Sequence, residues 1–317
     1  MKLRRILVAV EFPAEADQPG LDKAIGLAID SGANLEVLHV AYDPGAGRYG
    51  AGTAQRDIEY VLGLRRAQLE RLVESRLRRG LCVSTRVEWG RPAHELIATA
   101  AGSFKADLVV GQSTRRGALR HLLTYTDWQL IRHADRPLLL VKGSEAWQRR
   151  VVLAAIDPLH AHDKPAALDR AILAAANSLA RAASGRLHAY HAYAPAVRFV
   201  PGTALEPLPV LAPPAEQKRH ERAVRDRVLR VTRAAGLAAD RVHVDRDEPA
   251  RGLPAHARRL QAGVVVLGAV SRGLVARWLM GATAEQVLDA LSCDVLVVPP
   301  PKRGRAGRTR TAARRKS

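Results

Sequence analysis

ADLVVGQSTRRGALRHLLTYTDWQLIRHADRPLLLVK, residues 106–142, and AGVVVLGAVSRGLVARWLMGATAEQVLDALSCDVLVVP, residues 262–299, carry the repeat that organises this 317-residue chain. Laid over each other without gaps at a separation of 157 positions, they place Gly111 on Gly268, Thr126 on Thr283, Gln129 on Gln286 and Val141 on Val298. Each stretch reads as a buried strand, a loop that opens on glycine, a helix and a second buried strand. Self-similarity on this scale marks a tandem duplication. A glycine-opened turn between a strand and a helix is also where α/β folds hold phosphates, because main-chain N–H groups and a helix N-terminus converge there.

The same order of elements extends upstream of both stretches. In the first copy, Ile6–Val10 is a continuous apolar run, which is how a strand buried on both faces reads. Leu21, Ile25, Ala28 and Ile29 give helical spacing between Asp17 and Asp30, and Leu35–Val40 is a second strand. The Gly-rich stretch Asp43–Thr53 reads as a loop. Gln55–Arg79 reads as a long amphipathic helix stopped by Gly80. The alternation in Val83–Val87 marks an edge strand, Pro92 opens a helix running to Ala101, and Leu108–Val110 and Leu138–Val141 are strands four and five, with a helix over Thr126–His133 between them.

The second copy repeats this with strands at Val151–Ile156, Leu187–Tyr193, Val242–Val244, Val264–Leu267 and Val295–Val298. A Pro-rich loop (Pro195–Pro214) and a helix (Ala215–Ala235) replace the Gly-rich loop and its helix. Five strands alternating with helices, twice over, predict two α/β domains, each a parallel sheet with helices on both faces. The boundaries follow as 1–145 and 146–300, with a tail at 301–317 and a short link at Gly143–Arg150.

Composition narrows the function. Apolar residues make up 47% of the chain, which places it among globular proteins. The formal charge is +19, and the segment KRGRAGRTRTAARRKS at 302–317 holds eight of the 50 Lys and Arg, leaving +11 on the rest. Such a tail is expected to be disordered and to contact polyanions, nucleic acid or ribosome included; a solubilising extension is the plainer reading. Two cysteines, Cys82 and Cys293, without any ligand spacing, point to a reducing compartment and no structural metal. No apolar run reaches membrane-spanning length, so a cytoplasmic protein without a membrane span is expected.

A strand ending in Asp, a strand ending in His-Val and a loop of the form G-x2-G-x9-G-[ST] together resemble the universal stress protein family in its tandem-domain form. TDWQLIRHADRPLLLVK (126–142) and 261–298 carry the likeness, which extends to about Pro300. The resemblance implies a Rossmann-like fold of the adenine nucleotide α-hydrolase type, with strand order 3-2-1-4-5 in each domain. It also implies pairing of the two fifth strands within the chain, a pseudo-dimer. A ligand would then lie outside the carboxyl ends of strands one and four, where the connections reverse.

In the second copy the resemblance assigns the site to Asp157 and Ala192, to Gly268, Ser271 and Arg272 of the loop, and to Gly281, Ala282 and Thr283 at its end. Gly273 and Arg277 lie in the same loop. Two positions depart from the pattern: Ser271 stands for the second glycine, and Ala282 stands where Ser or Thr is expected. ATP or another adenine nucleotide is the implied ligand. The first copy departs further, with Glu11 for the Asp, Thr114 on the second glycine and Thr124 on the third. A β-branched residue resists positive φ and obstructs a phosphate, so this loop is expected to hold no nucleotide, with Arg115, Arg116 and Arg120 forming a solvated basic face.

Other clusters read as structural. His39 and His191 occupy equivalent strand-two positions and are expected to be buried and hydrogen-bonded. His160, His162 and Asp163 are expected to be solvated, and Trp128 to pack. No G-x-S-x-G elbow, paired carboxylates or Lys-bearing phosphate loop occurs. The expected mode of action is that of a stress-response regulator that binds a ligand or partner. The rival readings are a slow ATP hydrolase, an RNA- or ribosome-associated protein using 302–317, and a pocket adapted to a different, apolar ligand.

Overall fold

A computed structural model of the chain describes residues 2–46, 51–113, 123, 125–143, 147, 150–159, 166–201, 206–269 and 282–301. The side chains of 51–54, 166, 201 and 282–285 are outside that description. The basic tail 302–317 lies wholly outside it, as do His160, His162 and Asp163.

The first half runs β1 (Arg5–Ala9), α1 (Pro19–Ser31), β2 (Asn34–Ala41), α2 (Ala51–Glu74), β3 (Val83–Trp89), α3 (Ala93–Phe104), β4 (Leu108–Gln112), α4 (Tyr125–His133) and β5 (Leu138–Val141). The second half runs β6 (Val151–Ala155), α5 (Ala166–Ala182), β7 (Arg186–Tyr193), β8 (Val197–Pro201), β9 (Pro207–Leu211), α6 (Pro214–Ala234), β10 (Val242–Arg246), α7 (Pro249–Leu260), β11 (Ala262–Gly268), α8 (Ala282–Ala290) and β12 (Asp294–Val298).

Ten of these strands form one sheet, ordered β10-β7-β6-β11-β12-β5-β4-β1-β2-β3. Each half has the order 3-2-1-4-5. The two separate parallel sheets read from the sequence are therefore one continuous sheet. All its neighbours are parallel except β12 and β5, which pair antiparallel through Val295–Leu140, Leu296–Leu139 and Val297–Leu138. The apolar runs explain the architecture: with both faces covered, consecutive residues go to opposite cores. Ile6 and Val8 pack with Leu21, Ile25 and Leu69 of α1 and α2 on one face, a core that continues under α5 and α6. Leu7 packs on the other face, in the core formed with α3, α4, α7 and α8. The edge position expected for the third strand holds in both halves, since β3 and β10 end the sheet.

Three local readings differ. The long helix stops at Glu74, not Arg79. The Ser75 hydroxyl donates to the Leu72 carbonyl (2.7 Å), and Arg76 turns away to Asp22 (2.7 Å). A serine that bonds its own backbone competes with helix propagation. The helix also begins at Ala51, inside the stretch read as a loop. The Pro-rich stretch contains an antiparallel hairpin, β8 with β9. Its prolines obscured it in the sequence, yet a two-stranded ribbon has outward edges where a missing N–H costs nothing. Gln217 of α6 clamps its base, accepting from Ala196 N–H (3.0 Å) and donating to the Ala196 carbonyl (2.7 Å).

Asp294 ties the two halves together beside the antiparallel join. This carboxylate is 2% exposed. It accepts from Lys23 Nζ of α1 (2.7 Å), from the Lys142 main-chain N–H just after β5 (2.9 Å) and from Trp147 Nε1 (2.6 Å). Gly263 makes room for that indole, since a Cβ there would sit 2.7 Å from Trp147. The buried Lys142 ammonium donates to the carbonyls of Leu288 and Leu291 at the end of α8, where the helix dipole favours a cation. Burial lowers its pKa to about 8. Removing one partner of a buried, hydrogen-bonded ion pair strands the other. Asp294→Ala is therefore expected to cost about 3 kcal/mol in chemical denaturation, and Asp294→Asn, which keeps an acceptor, clearly less.

Candidate functional site

At the carboxyl ends of β1, β2, β3 and β4 the first half opens into a cleft of about 430 Å³. Its floor is apolar, with Ala9, Val10, Val40, Ile97 and Leu130; Glu11, Phe12, Tyr42, Arg65, Arg91 and Tyr125 are among its remaining walls. The cleft sits where strand order reverses between β1 and β4, the position expected for a ligand in a doubly wound sheet. His39 of β2 donates its Nδ1–H to the Val10 carbonyl (2.9 Å). His191 of β7 makes the same bond to the Ile156 carbonyl (3.0 Å). Both histidines are buried, each fixing the end of strand one to the end of strand two.

In the second half, Gly268 ends β11, and Asp157 lies two residues past the end of its parallel neighbour β6. The Asp157 main-chain N–H is held by Asp169 Oδ1 of α5 (3.0 Å). Its side-chain Oδ1 is buried with no hydrogen-bond partner among the described residues. Ala192 lies half-buried on β7, in register with Asp245 of β10. The backbone of Ala282 and Thr283 forms the first turn of α8. Ser271, Arg272 and Gly281 lie outside the described residues, as do Gly273 and Arg277, and in the first copy Thr114, Arg115, Arg116, Arg120 and Thr124. Asp157, Ala192 and Gly268 are thus the predicted site residues that can be placed together.

The overlay of Gly111 on Gly268 is corrected by the strand register. Leu108, Val109 and Val110 of β4 lie beside Ile6, Leu7 and Val8, and Val264, Val265 and Val266 of β11 lie beside Val152, Leu153 and Ala154. Val110 and Val266 accordingly share one core, and Val109 and Val265 the other. Strand four is thus offset by 156 positions while strand five keeps 157, so the second-half loop holds one extra residue. A one-residue slip reverses every side chain. The counterpart of Gly268 is Gln112, whose Oε1 accepts the N–H of Gly20 at the start of α1 (3.0 Å). A Cβ on Gly268 would meet Leu168 of α5 at 2.8 Å. One half has a large residue on the strand against a glycine of the helix, and the other half has the reverse.

Comparison with known proteins agrees with this arrangement. The sequence profile of the Universal stress protein family matches residues 2–142 and again 148–299. The chain belongs to the universal stress protein family. Within it, Universal stress protein E of Escherichia coli (strain K12) is 28% identical over 317 aligned residues, covering 95% of each protein. A Universal stress protein E homolog of Haemophilus influenzae is 24% identical, covering 96% of this chain and 99% of that protein. Among solved structures, a functionally unknown protein from Pseudomonas aeruginosa PAO1 superimposes with a TM-score of 0.69 at 26% identity over 94% of this chain and 93% of its own. A universal stress protein from Archaeoglobus fulgidus shares the fold, with a TM-score of 0.62 at 16% identity, covering 95% of this chain and all of that one. Among the described residues no helix is long and apolar enough to cross a membrane, and no group of three or more His, Cys, Asp or Glu is arranged to hold a metal.

One cluster in this family member escaped the sequence reading. His188 Nδ1 and His243 Nε2 share a hydrogen bond of 3.0 Å, and the His256 ring lies 4.4 Å from that of His243. Residues from two strands and a helix meet here, and only the pairing of β7 with β10 brings them together. Arg259 donates to His256 Nδ1 (2.7 Å), and the Asp245 carboxylate is 3.2 Å from the same atom. Burial keeps all three rings neutral, reinforced by the neighbouring histidines and by Arg259, Arg241 and Arg186, against the opposing pull of Asp245 and Asp240. It brings His256 down to about 4. Each folded-state pKa is below the unfolded value of about 6.5, so the unfolded chain binds more protons below that pH. Stability from these histidines is complete above about pH 6.5 and declines as pH falls below it; for His256 the loss continues toward pH 4, by up to about 1.4 kcal/mol per pH unit. Melting temperatures measured between pH 7 and pH 5 should fall, and His243→Gln should flatten the slope.

Proposed function

We propose that this chain is a cytoplasmic stress-response protein that acts by binding, and that its second half takes an adenine nucleotide such as ATP. The observation that carries the reading is Asp157: a buried carboxylate oxygen without a partner among the described residues, just past the end of β6, the strand paired with the one that ends in Gly268. An unpaired buried carboxylate oxygen is costly, and hydroxyl or amine donors of a nucleoside would satisfy it. The loop from Gly268 to Thr283, through Ser271, Arg272, Gly281 and Ala282, would then receive the phosphates, with the N-terminus of α8 behind them. Ala192 would line the nucleoside end. The pairing of β5 with β12 supports a second part of the reading, that residues 1–145 and 146–300 behave as the two subunits of a pseudo-dimer within one chain.

Calorimetric titration of the full chain with ATP and Mg²⁺ tests it. One ATP is expected to bind per chain, and Asp157→Ala is expected to weaken it about tenfold, the size of one lost charge-assisted hydrogen bond. Gly281→Val should abolish binding. Saturating ATP without heat or thermal shift would overturn the assignment.

A further inference from the structure

We propose that the cleft of the first half is a separate binding site for an aromatic anion, a planar ring system carrying a single carboxylate or comparable group. This inference is independent of nucleotide binding in the second half. It rests on the cavity and on what faces it.

The cavity of about 430 Å³ lies within the range of small-molecule sites, roughly 300–1,000 Å³. The chain has only three Phe and six Tyr, yet Phe12, Tyr42 and Tyr125 all stand around this one opening, at 47%, 45% and 75% exposure. Trp89 lies beside Tyr42, with ring centroids 6.0 Å apart. Exposed aromatics gathered at the mouth of an apolar-floored cleft provide faces on which a planar ring can stack.

The arginines of the site give the sign of the ligand. Arg65 and Arg91 both line the cleft, and neither is in an ion pair among the described residues. The Arg91 guanidinium lies 4.4 Å from the centre of the Tyr42 ring, and Arg65 donates to the amide oxygen of Gln68 (3.0 Å). Both can turn a fork of donors toward a carboxylate. The two acids of the lining, Glu11 and Asp127, already have interactions of their own. The two histidines, His39 and His94, are kept toward the neutral form by burial. Among the described lining residues two guanidinium groups stand beside these two carboxylates, and Arg91, held over the Tyr42 ring at the aromatic mouth, is the group placed to meet the anionic end of a ring that stacks there.

The same cleft is poorly made for a polyphosphate. Gln112 stands where the second half has Gly268, and its side chain caps the Gly20 N–H of α1. A single anionic group held by arginine side chains needs no cradle of main-chain amides.

The probe is 2-naphthoate, titrated into the full chain by calorimetry with Trp89 fluorescence as a second readout. 2-Naphthylmethylammonium, of similar shape and opposite charge, is the control. One 2-naphthoate is expected to bind per chain, at least tenfold more tightly than the ammonium. Arg91→Ala and Arg65→Ala are each expected to weaken it about tenfold, with circular dichroism and melting temperature confirming that these variants fold. Tyr42→Leu should weaken the anion and leave the preference for it over the cation intact. Excess ATP should leave 2-naphthoate binding unchanged. The proposal is overturned by no saturable binding up to about 5 mM, by equal affinity for the cation, by affinity unaltered in Arg91→Ala, or by displacement of 2-naphthoate by ATP. Failure of ATP to bind anywhere would bear on the nucleotide reading alone.

Discussion

The antiparallel contact between β5 and β12 is the constraint on which the remaining architecture depends. All other neighbours in the ten-stranded sheet are parallel and belong to one half. This single pairing turns two five-stranded units into one body and removes two sheet edges that would otherwise stand open to other chains. Strand hydrogen bonds alone would leave the join free to slide. Asp294 fixes it, because one carboxylate gathers donors from α1, from the residue after β5 and from Trp147. Lys142 adds a second lock by ending α8 with its ammonium.

Much of the fold was legible because buried parallel strands are written as unbroken apolar runs. RILVA, LLLV and DVLVV gave their strands with little ambiguity, and the repeat multiplied each reading by two. The departures have physical causes. The hairpin β8–β9 was obscured by Pro201, Pro207 and Pro209, which would break an inner strand but not a two-stranded ribbon. The end of α2 depended on Ser75 and Arg76 finding partners outside the helix, and no periodicity encodes that. The slip between Gly111 and Gly268 arose because identical residues attract an alignment, whereas the sheet aligns faces. Gln112 is at the equivalent position, and the pairing of β4 with β1 and with β5 reveals it.

The candidate sites were legible to different degrees. Asp157 and Gly268 could be named from spacing, since strand ends are predictable and the resemblance gave their roles. The cleft of the first half could not. Phe12, Tyr42 and Arg91 come from three separate connections and Tyr125 from the start of α4, and they share no motif; they meet because the sheet brings the carboxyl-terminal ends of β1, β2, β3 and β4 to one rim. The histidine cluster is of the same kind. His188 and His243 are far apart in sequence and become neighbours only through the pairing of β7 with β10.

Joining both halves on one polypeptide has an evolutionary consequence. In a homodimer, symmetry forces both protomers to change together, so a substitution that improves one cleft alters its twin. A covalent tandem escapes that rule. Its partner is always present at high effective concentration, so assembly survives while the halves drift apart. The exchange of Gly268 against Ile172 for Gln112 against Gly20 records such drift, with each half repacked on its own terms.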